Sequence, residues 1–287
     1  MPSSDSIWTD ETSPPTVLAA GRRHSVGVRA DGSVVGAGDL SQHRLEHWTD
    51  VVAVAAGNVH TARNTGRSHT VGLRSDGSVV ATGWNAHGQC DVADWSDVVG
   101  VAAGWRRTLG VRADGTVLAV GRRTEGACWV SSWTDVVAVA AGDWHSVGLL
   151  SDGTVTAVGN NQRGQCAVEG WRGVRVVSAG YLHSAALHED GHVSIAGDHS
   201  SEVSGWSSVV GISAGSSHTV GLLENGRVVA VGDDSRGQCE VAFWRDIVAI
   251  AAGSAHTLGL RADGTVVAAG DHGDGRCDVG MWKLAPR

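Results

Sequence analysis

"WTDVVAVAAGDWHSVGLLSDGTVTAVGNNQRGQCAVEGW", residues 133–171, is one period of a repeat that runs through the chain. Its opening Trp133 has counterparts at Trp48, Trp95, Trp171, Trp206, Trp244 and Trp282, and Trp8 stands where an earlier one would fall. Most steps are 38 residues; the step from Trp171 to Trp206 is 35 and that from Trp48 to Trp95 is 47. A fixed period of about 20 to 50 residues dictates architecture before any local reading.

Each unit supplies three short β-branched runs and a fourth, briefer one: strand A (VVAVAAG), strand B (HSVGL), strand C (TVTAVG) and an outer strand D (GQCAV). Between B and C lies an Asp-Gly or Asn-Gly step, at Asp31, Asp76, Asp114, Asp152, Asp190, Asn225 and Asp263, each followed by glycine. Such dipeptides accept the positive φ of a two-residue hairpin turn. The runs are too apolar for a strand with one wet face and suit sheets covered on both sides. Four-stranded sheets repeated radially make a propeller. The expectation is an all-β, seven-bladed β-propeller of four-stranded antiparallel blades occupying 16–287 as one domain, with 1–15 as an N-terminal segment at the ring closure. Trp8 and Trp282 then compete for one junction. An open solenoid would need distinctive capping repeats, and neither end of the array reads as a cap.

The composition agrees: 41 glycines beside one Phe and one Tyr favour tight turns over helix interiors. A net charge of −8 argues against wholesale nucleic-acid or anionic-membrane binding, since both need a positive field. Lys283 is the only lysine, so the basic residues are almost all arginine. No apolar run approaches a membrane span, the first residues lack the pattern of a signal peptide, and the expected location is cytoplasmic. Five cysteines without a CxxC spacing point to neither a disulfide framework nor a zinc ribbon.

The G-x-x-H-(S/T) phrase, the D-G step and the G-Q-C run together resemble the repeat of the regulator-of-chromosome-condensation family, whose members are seven-bladed propellers. The likeness covers nearly the whole chain. Unit length is similar to that of compact bacterial relatives, including the propeller-type inhibitors of β-lactamases. Gly104-Trp105-Arg106-Arg107-Thr108 also resembles the G-W-R-H-T phrase of the plant ultraviolet-B photoreceptor.

Residue types that recur in every blade are read first as architecture. The junction tryptophans are expected to fill the gaps between sheets. His24, His69, His145, His183, His218 and His256 share one position, which Arg107 takes in blade 3. Face-packed sheets lie about 10 Å apart, too far for equivalent side chains to share one metal ion, so these imidazoles are expected to bond local backbone. Cys90, Cys128, Cys166, Cys239 and Cys277 are read as small buried hydrophobes, with Cys128 set apart by neighbouring Arg122 and Arg123. No metal and no cofactor is expected.

The departures from the repeat fall on one face, where A–B and C–D loops meet. Arg22, Arg23, Arg63, Arg67, Arg106, Arg107, Arg122 and Arg123 form a basic arc over blades 1 to 3, beside Trp84, Trp105, Trp144 and Tyr181. The long step in blade 2 adds nine residues to its A–B loop, where Gly57-Asn58-Val59-His60-Thr61 is echoed by Gly66-Arg67-Ser68-His69-Thr70. A local duplication without function is the alternative reading of that loop. Crowded guanidiniums imply carboxylates or phosphates in a ligand, or intramolecular pairing with Asp39, Glu46 or Glu125. The expected function is a binding platform, as a monomer or weak homodimer, for a protein or an anionic small molecule. The alternative is a cofactor-free cyclase, isomerase or lyase with Glu125, Asp143, His145 or Tyr181 as acid or base.

Overall fold

The computed structural model describes residues 16–58, 60, 67–198 and 202–285. Seven antiparallel sheets follow one another along the chain, each of three sequential strands. Strand A spans Leu18–Ala20 in blade 1, then Val51–Ala56, Val98–Ala103, Val136–Ala141, Val174–Ala179, Val209–Ala214 and Ile247–Ala252. In blade 4, strands B and C are His145–Leu150 and Val155–Gly159. Each A strand packs against the A strand of the next blade, and that of blade 7 returns to that of blade 1, so the sheets close into a seven-bladed ring.

Among the described residues no sheet gains the expected fourth strand. The G-Q-C run instead folds into consecutive tight turns: in blade 4 Gly164 N–H donates to Asn161 O, Ala167 N–H to Gly164 O and Trp171 N–H to Val168 O. These local bonds engage amides that a strand ladder would need. The B–C turns also differ from the two-residue hairpin. Leu150 N–H donates to Thr154 O and Gly153 N–H to Leu150 O, enclosing three residues, with positive φ (75°) at Gly153 alone. That is the three-residue loop in which a left-handed glycine follows an ordinary turn.

The junction tryptophans lie between sheets, as their volume suggests. Trp133 is buried in a cluster with Leu109, Val111 and Val117 of blade 3 and Val136 of blade 4. Its ring rests on strand B of blade 4, where a Cβ on Gly148 would stand 2.8 Å from the indole. Blade 5 carries Ala186 at that register, and there Trp171 is only partly buried. Trp282 seats against Gly27 of blade 1 in the same manner and closes the ring; Trp8 and the segment 1–15 lie outside the described residues. Two residues after six of the seven junction tryptophans, Trp282 excepted, the chain passes through left-handed backbone, at Asp50, Asp97, Asp135, Ser208 and Asp246 with φ of 56–59° and at Gly173 with φ 60°.

The shared histidines tie blade to blade instead of bonding local backbone. Nε2 meets a Ser or Thr hydroxyl on the following blade: His24 to Thr70 at 2.8 Å, His69 to Thr108 at 2.8 Å, His145 to Ser184 at 2.8 Å, His183 to Thr219 at 3.0 Å, His218 to Thr257 at 3.0 Å and His256 to Ser25 at 2.9 Å. The hydroxyls of Thr108, Ser184, Thr257 and Ser25 donate onward to backbone carbonyls, so each accepts from a neutral Nε2–H imidazole. Burial drives His69 and His145 down to about 3 and His218 to about 4, and holds His24 and His256 well below the ordinary range.

Candidate binding face

Backbone bonds place the A–B and C–D loops of every blade side by side. The first C–D amide donates to the last A–B carbonyl: Asp39 to Arg23, Trp84 to Ser68, Arg122 to Arg106, Asn160 to Trp144, Asp198 to Leu182, Asp233 to Ser217 and Asp271 to Ala255. The Asp-Gly turns meet the Trp junctions at the opposite side, for example through Val136 N–H to Gly115 O.

On the first face the structure brings the aromatic and basic residues of blades 2 to 5 together. The Arg106 guanidinium lies 3.6 Å over the Trp105 ring and 5.5 Å from that of Trp84. Trp105 meets Trp144 edge to face at 4.7 Å, and Arg122 stands 5.9 Å from the Trp144 ring. Guanidinium on indole is an attractive, geometrically fixed arrangement. Arg122 is ion-paired with Glu125 at 2.7 Å, one of the intramolecular pairings weighed from the sequence. Arg23, half-exposed, reaches Asp274 at 3.4 Å, a partner outside those weighed. Arg67 and Arg123 are exposed, Arg22 is half-buried, and Arg63 lies outside the described residues.

Arg107 belongs to the framework below this face. Only 3% exposed, it donates to Ser146 Oγ at 2.9 Å, Gly142 O at 2.7 Å, Asp143 O at 3.1 Å and the carbonyl of His145. It thus performs in blade 3 the interblade tie that histidine makes elsewhere. Burial lowers its pKa to about 10, which leaves it charged at neutral pH. Arg276, which the sequence did not single out, is a second buried guanidinium; it clamps Asp274 through Nε at 2.6 Å and Nη2 at 2.5 Å and donates to Arg22 O at 2.8 Å.

Asn58 and His60, in the long A–B connection of blade 2, reach residues across the opening of the ring. Asn58 is buried and accepts from Ser216 Oγ of blade 6 at 2.9 Å and Ser254 Oγ of blade 7 at 3.0 Å. His60 turns toward blade 4, where its backbone N–H and Nδ1 meet Asp143 Oδ2 at 2.9 and 2.6 Å. The imidazole stacks on Tyr181 at 4.4 Å and meets Trp105 edge-on at 5.1 Å. Gly57 N–H still bonds His69 O, so the sheet continues through the second copy of the phrase. The small side chains of blades 6 and 7 leave room for Asn58.

The residues named for acid–base work are placed differently from one another. His145 is fully buried and bonded to Ser184, without access to a substrate. Asp143 is 4% exposed, with its carboxyl raised by burial against the opposing bonds from His60. Glu125 and Tyr181 line an open cleft of ≈ 340 Å³ with Trp144, Asn160, Gln162 and Arg163. The cysteine thiols donate to the first carbonyl of each C–D loop, as Cys128 does to Arg122 O at 3.1 Å. Burial raises Cys128 despite Arg107 and Arg123, so the neighbouring arginines do not make it a thiolate. Among the described residues no group of three His, Cys, Asp or Glu side chains is arranged to hold a metal, and no helix is long and apolar enough to cross a membrane.

The ring resembles several solved propellers. The CRINKLY ectodomain of the Arabidopsis thaliana receptor kinase ACR4 matches with a TM-score of 0.67 at 16% identity, over 89% of this chain and 94% of that one. Human WBSCR16 matches at 0.68 and 20% identity, over 88% of each chain. Prp20p from Saccharomyces cerevisiae, described with its binding to Gsp1p and histones, matches at 0.64 and 16% identity, over 93% and 85%. At these identities the likeness is one of fold. No curated protein sequence matches the chain. The family model for the regulator of chromosome condensation (RCC1) repeat matches residues 64–89, 136–165, 209–238 and 247–276. These stretches fall in register with the blades, and the chain carries RCC1 repeats.

Proposed function

We propose that this propeller is a non-catalytic binding platform whose A–B/C–D loop face, over blades 1 to 5, grips a protein or another anionic partner. The observation that carries the reading is the run Trp84, Arg106, Trp105, Trp144, Arg122, in which two guanidiniums and three indoles form one chain of contacts across three adjacent blades. Tryptophan, tyrosine and arginine are the types enriched where binding energy concentrates, and a guanidinium held against a ring needs little further ordering to meet a planar anion. Exposed Arg23, Arg67 and Arg123 extend the basic rim, whereas Arg107 is committed to the framework. A propeller of similar fold gives the reading context: Prp20p, the yeast RCC1, is described with its binding to Gsp1p and histones and has been seen bound to Kap60. Five free thiols suit a cytoplasmic setting. The catalytic alternative draws no support from the fold likeness.

The test compares the wild type with the quadruple variant R23E/R67E/R106E/R123E, both immobilised and exposed to the same cell extract. With equal melting temperatures, the variant is expected to lose the captured partner. Identical captures would remove the arginine rim from the account.

A further inference from the structure

This inference rests on the platform reading and names the chemistry of its partner. The seven blades permit a position-by-position comparison at the first C–D residue, which always bonds the adjacent A–B carbonyl. Blades 5, 6, 7 and 1 carry Asp198, Asp233, Asp271 and Asp39, while blades 2, 3 and 4 carry Trp84, Arg122 and Asn160. The position is therefore divided: it holds aspartate on four contiguous blades, and on the other three the carboxylate is missing.

The aspartates of that position have a structural task. Asp233 Oδ1 accepts from Ser235 N–H at 3.1 Å, Asp271 Oδ1 from Gly273 N–H at 2.9 Å and Asp39 Oδ1 from Ser41 Oγ at 2.7 Å; Asn160 does the same for Gln162 N–H at 3.0 Å. Such side-chain caps stabilise the turn that follows. They also serve the glutamine that blades 2, 4 and 6 carry beneath: Gln238 Nε2 donates to Asp233 Oδ2 at 3.0 Å and Gln165 Nε2 to Asn160 Oδ1 at 3.3 Å. In blade 2 Trp84 offers no acceptor, and Gln89 Nε2, on a fully buried side chain, meets none in the protein. Trp105 Nε1, on a ring only 5% exposed, and Arg106 Nε likewise meet no acceptor in the protein. Blades 2 and 3 thus give up a local stabilising device, and their rim holds buried donors in excess of acceptors. Departures of this kind from an otherwise uniform pattern mark positions shaped by something other than folding.

We infer that the rim of blades 2 and 3, centred on Trp84, Arg106 and Arg122 and flanked by Arg67 and Arg123, is a docking site for a carboxylate-rich polypeptide segment. The site already displays the interaction: Arg122 holds the carboxylate of Glu125 at 2.7 Å beside the Trp144 ring. A planar carboxylate matches the guanidinium edges of arginines stacked on indoles. On blades 5 and 6, Asp198 and Asp233 present like charge to such a segment and so favour its lying on blades 2 and 3.

The probe is an octaglutamate peptide at low ionic strength, read by tryptophan fluorescence and calorimetry against octaglutamine and inorganic phosphate. Octaglutamate is expected to bind the intact protein, and Arg106→Gln and Trp84→Asn are each expected to weaken it by about tenfold or more. Trp84→Asn also restores the turn cap and gives Gln89 its acceptor, so its melting temperature is expected to equal or exceed that of the wild type. A lowered melting temperature would make Trp84 a packing residue and overturn the inference. So would unchanged octaglutamate affinity in both variants, equal binding of octaglutamine, or displacement of the peptide by equimolar phosphate. If octaglutamate fails while the quadruple charge reversal still abolishes partner capture, the acidic-segment inference falls and the platform reading stands. If the charge reversal changes nothing, both fall.

Discussion

Asn58 of blade 2 accepts a hydrogen bond from Ser254 of blade 7, 3.0 Å away and on the far side of the ring opening. A single amide therefore connects three blades, because Ser216 of blade 6 donates to the same oxygen. Replacing Asn58 by Ala leaves two buried hydroxyls without that acceptor, and stability is expected to fall by about 1–3 kcal/mol. Urea unfolding of N58A, S254A and the double variant checks it. The double-mutant cycle is expected to give a coupling energy of about 1 kcal/mol, and strict additivity would contradict the bond.

Acid is expected to unfasten the ring. The folded values of His69 and His145, about 3, and of His218, about 4, lie below the ordinary 6.5, as do those of His24 and His256. Unfolding therefore takes up protons once the pH drops below about 6.5. Stability is complete above that value and declines as pH falls towards the folded values, by up to about 1.4 kcal/mol per pH unit for each histidine. Melting temperatures between pH 7.5 and 4.5 test this, and a flat profile below about pH 6.5 would contradict it.

Arg107 and histidine should be nearly interchangeable, although one is charged and the other neutral. Ser146 donates to Ala127 O at 2.7 Å and stands to Arg107 as Ser184 stands to His145. Arg107→His is expected to keep the tie, with stability within about 1 kcal/mol of the wild type, whereas Arg107→Ala removes the side-chain donor to the Gly142 and Asp143 carbonyls and loses about 2–4 kcal/mol. Thermal melts of the two variants decide between tie and surface charge.

At Gly148 a methyl group would meet the Trp133 ring at 2.8 Å. Gly148→Ala is expected to lower stability by about 1–3 kcal/mol through overpacking. Ala186→Gly in blade 5, where Trp171 is already only partly buried, is expected to change it by less than about 1 kcal/mol. Calorimetric melting of the pair is the check, and equal effects would detach the indole from the glycine.

The blades were legible because their signals are local: Asp152-Gly153 marks a turn, and Trp133 at a constant step marks a junction. The missing fourth strand was not, since the G-Q-C run has strand-forming residues whose amides are claimed by turns of neighbouring residues such as Asn161 and Gly164. Arg107 reads from the sequence as part of a basic arc, and its burial depends on carbonyls of blade 4 that no local pattern reveals. Asn58 and His60 were visible as a repeated phrase, yet their partners Ser254 and Asp143 lie 196 and 83 residues along the chain. The signal that could have paired them was the smallness of Ser216 and Ser254 opposite a loop too long for its own blade.

The interblade relay has one donor leading out of each blade and one hydroxyl receiving from the blade before it. Any unit can therefore be exchanged for a copy of another, as a link in a chain of identical links. Asn58 is the exception. Its side chain has one fixed length, so a ring enlarged by an eighth link would carry Ser216 and Ser254 out of its grasp. The two bonds to Asn58 thus favour one circumference where the repeat itself prefers none.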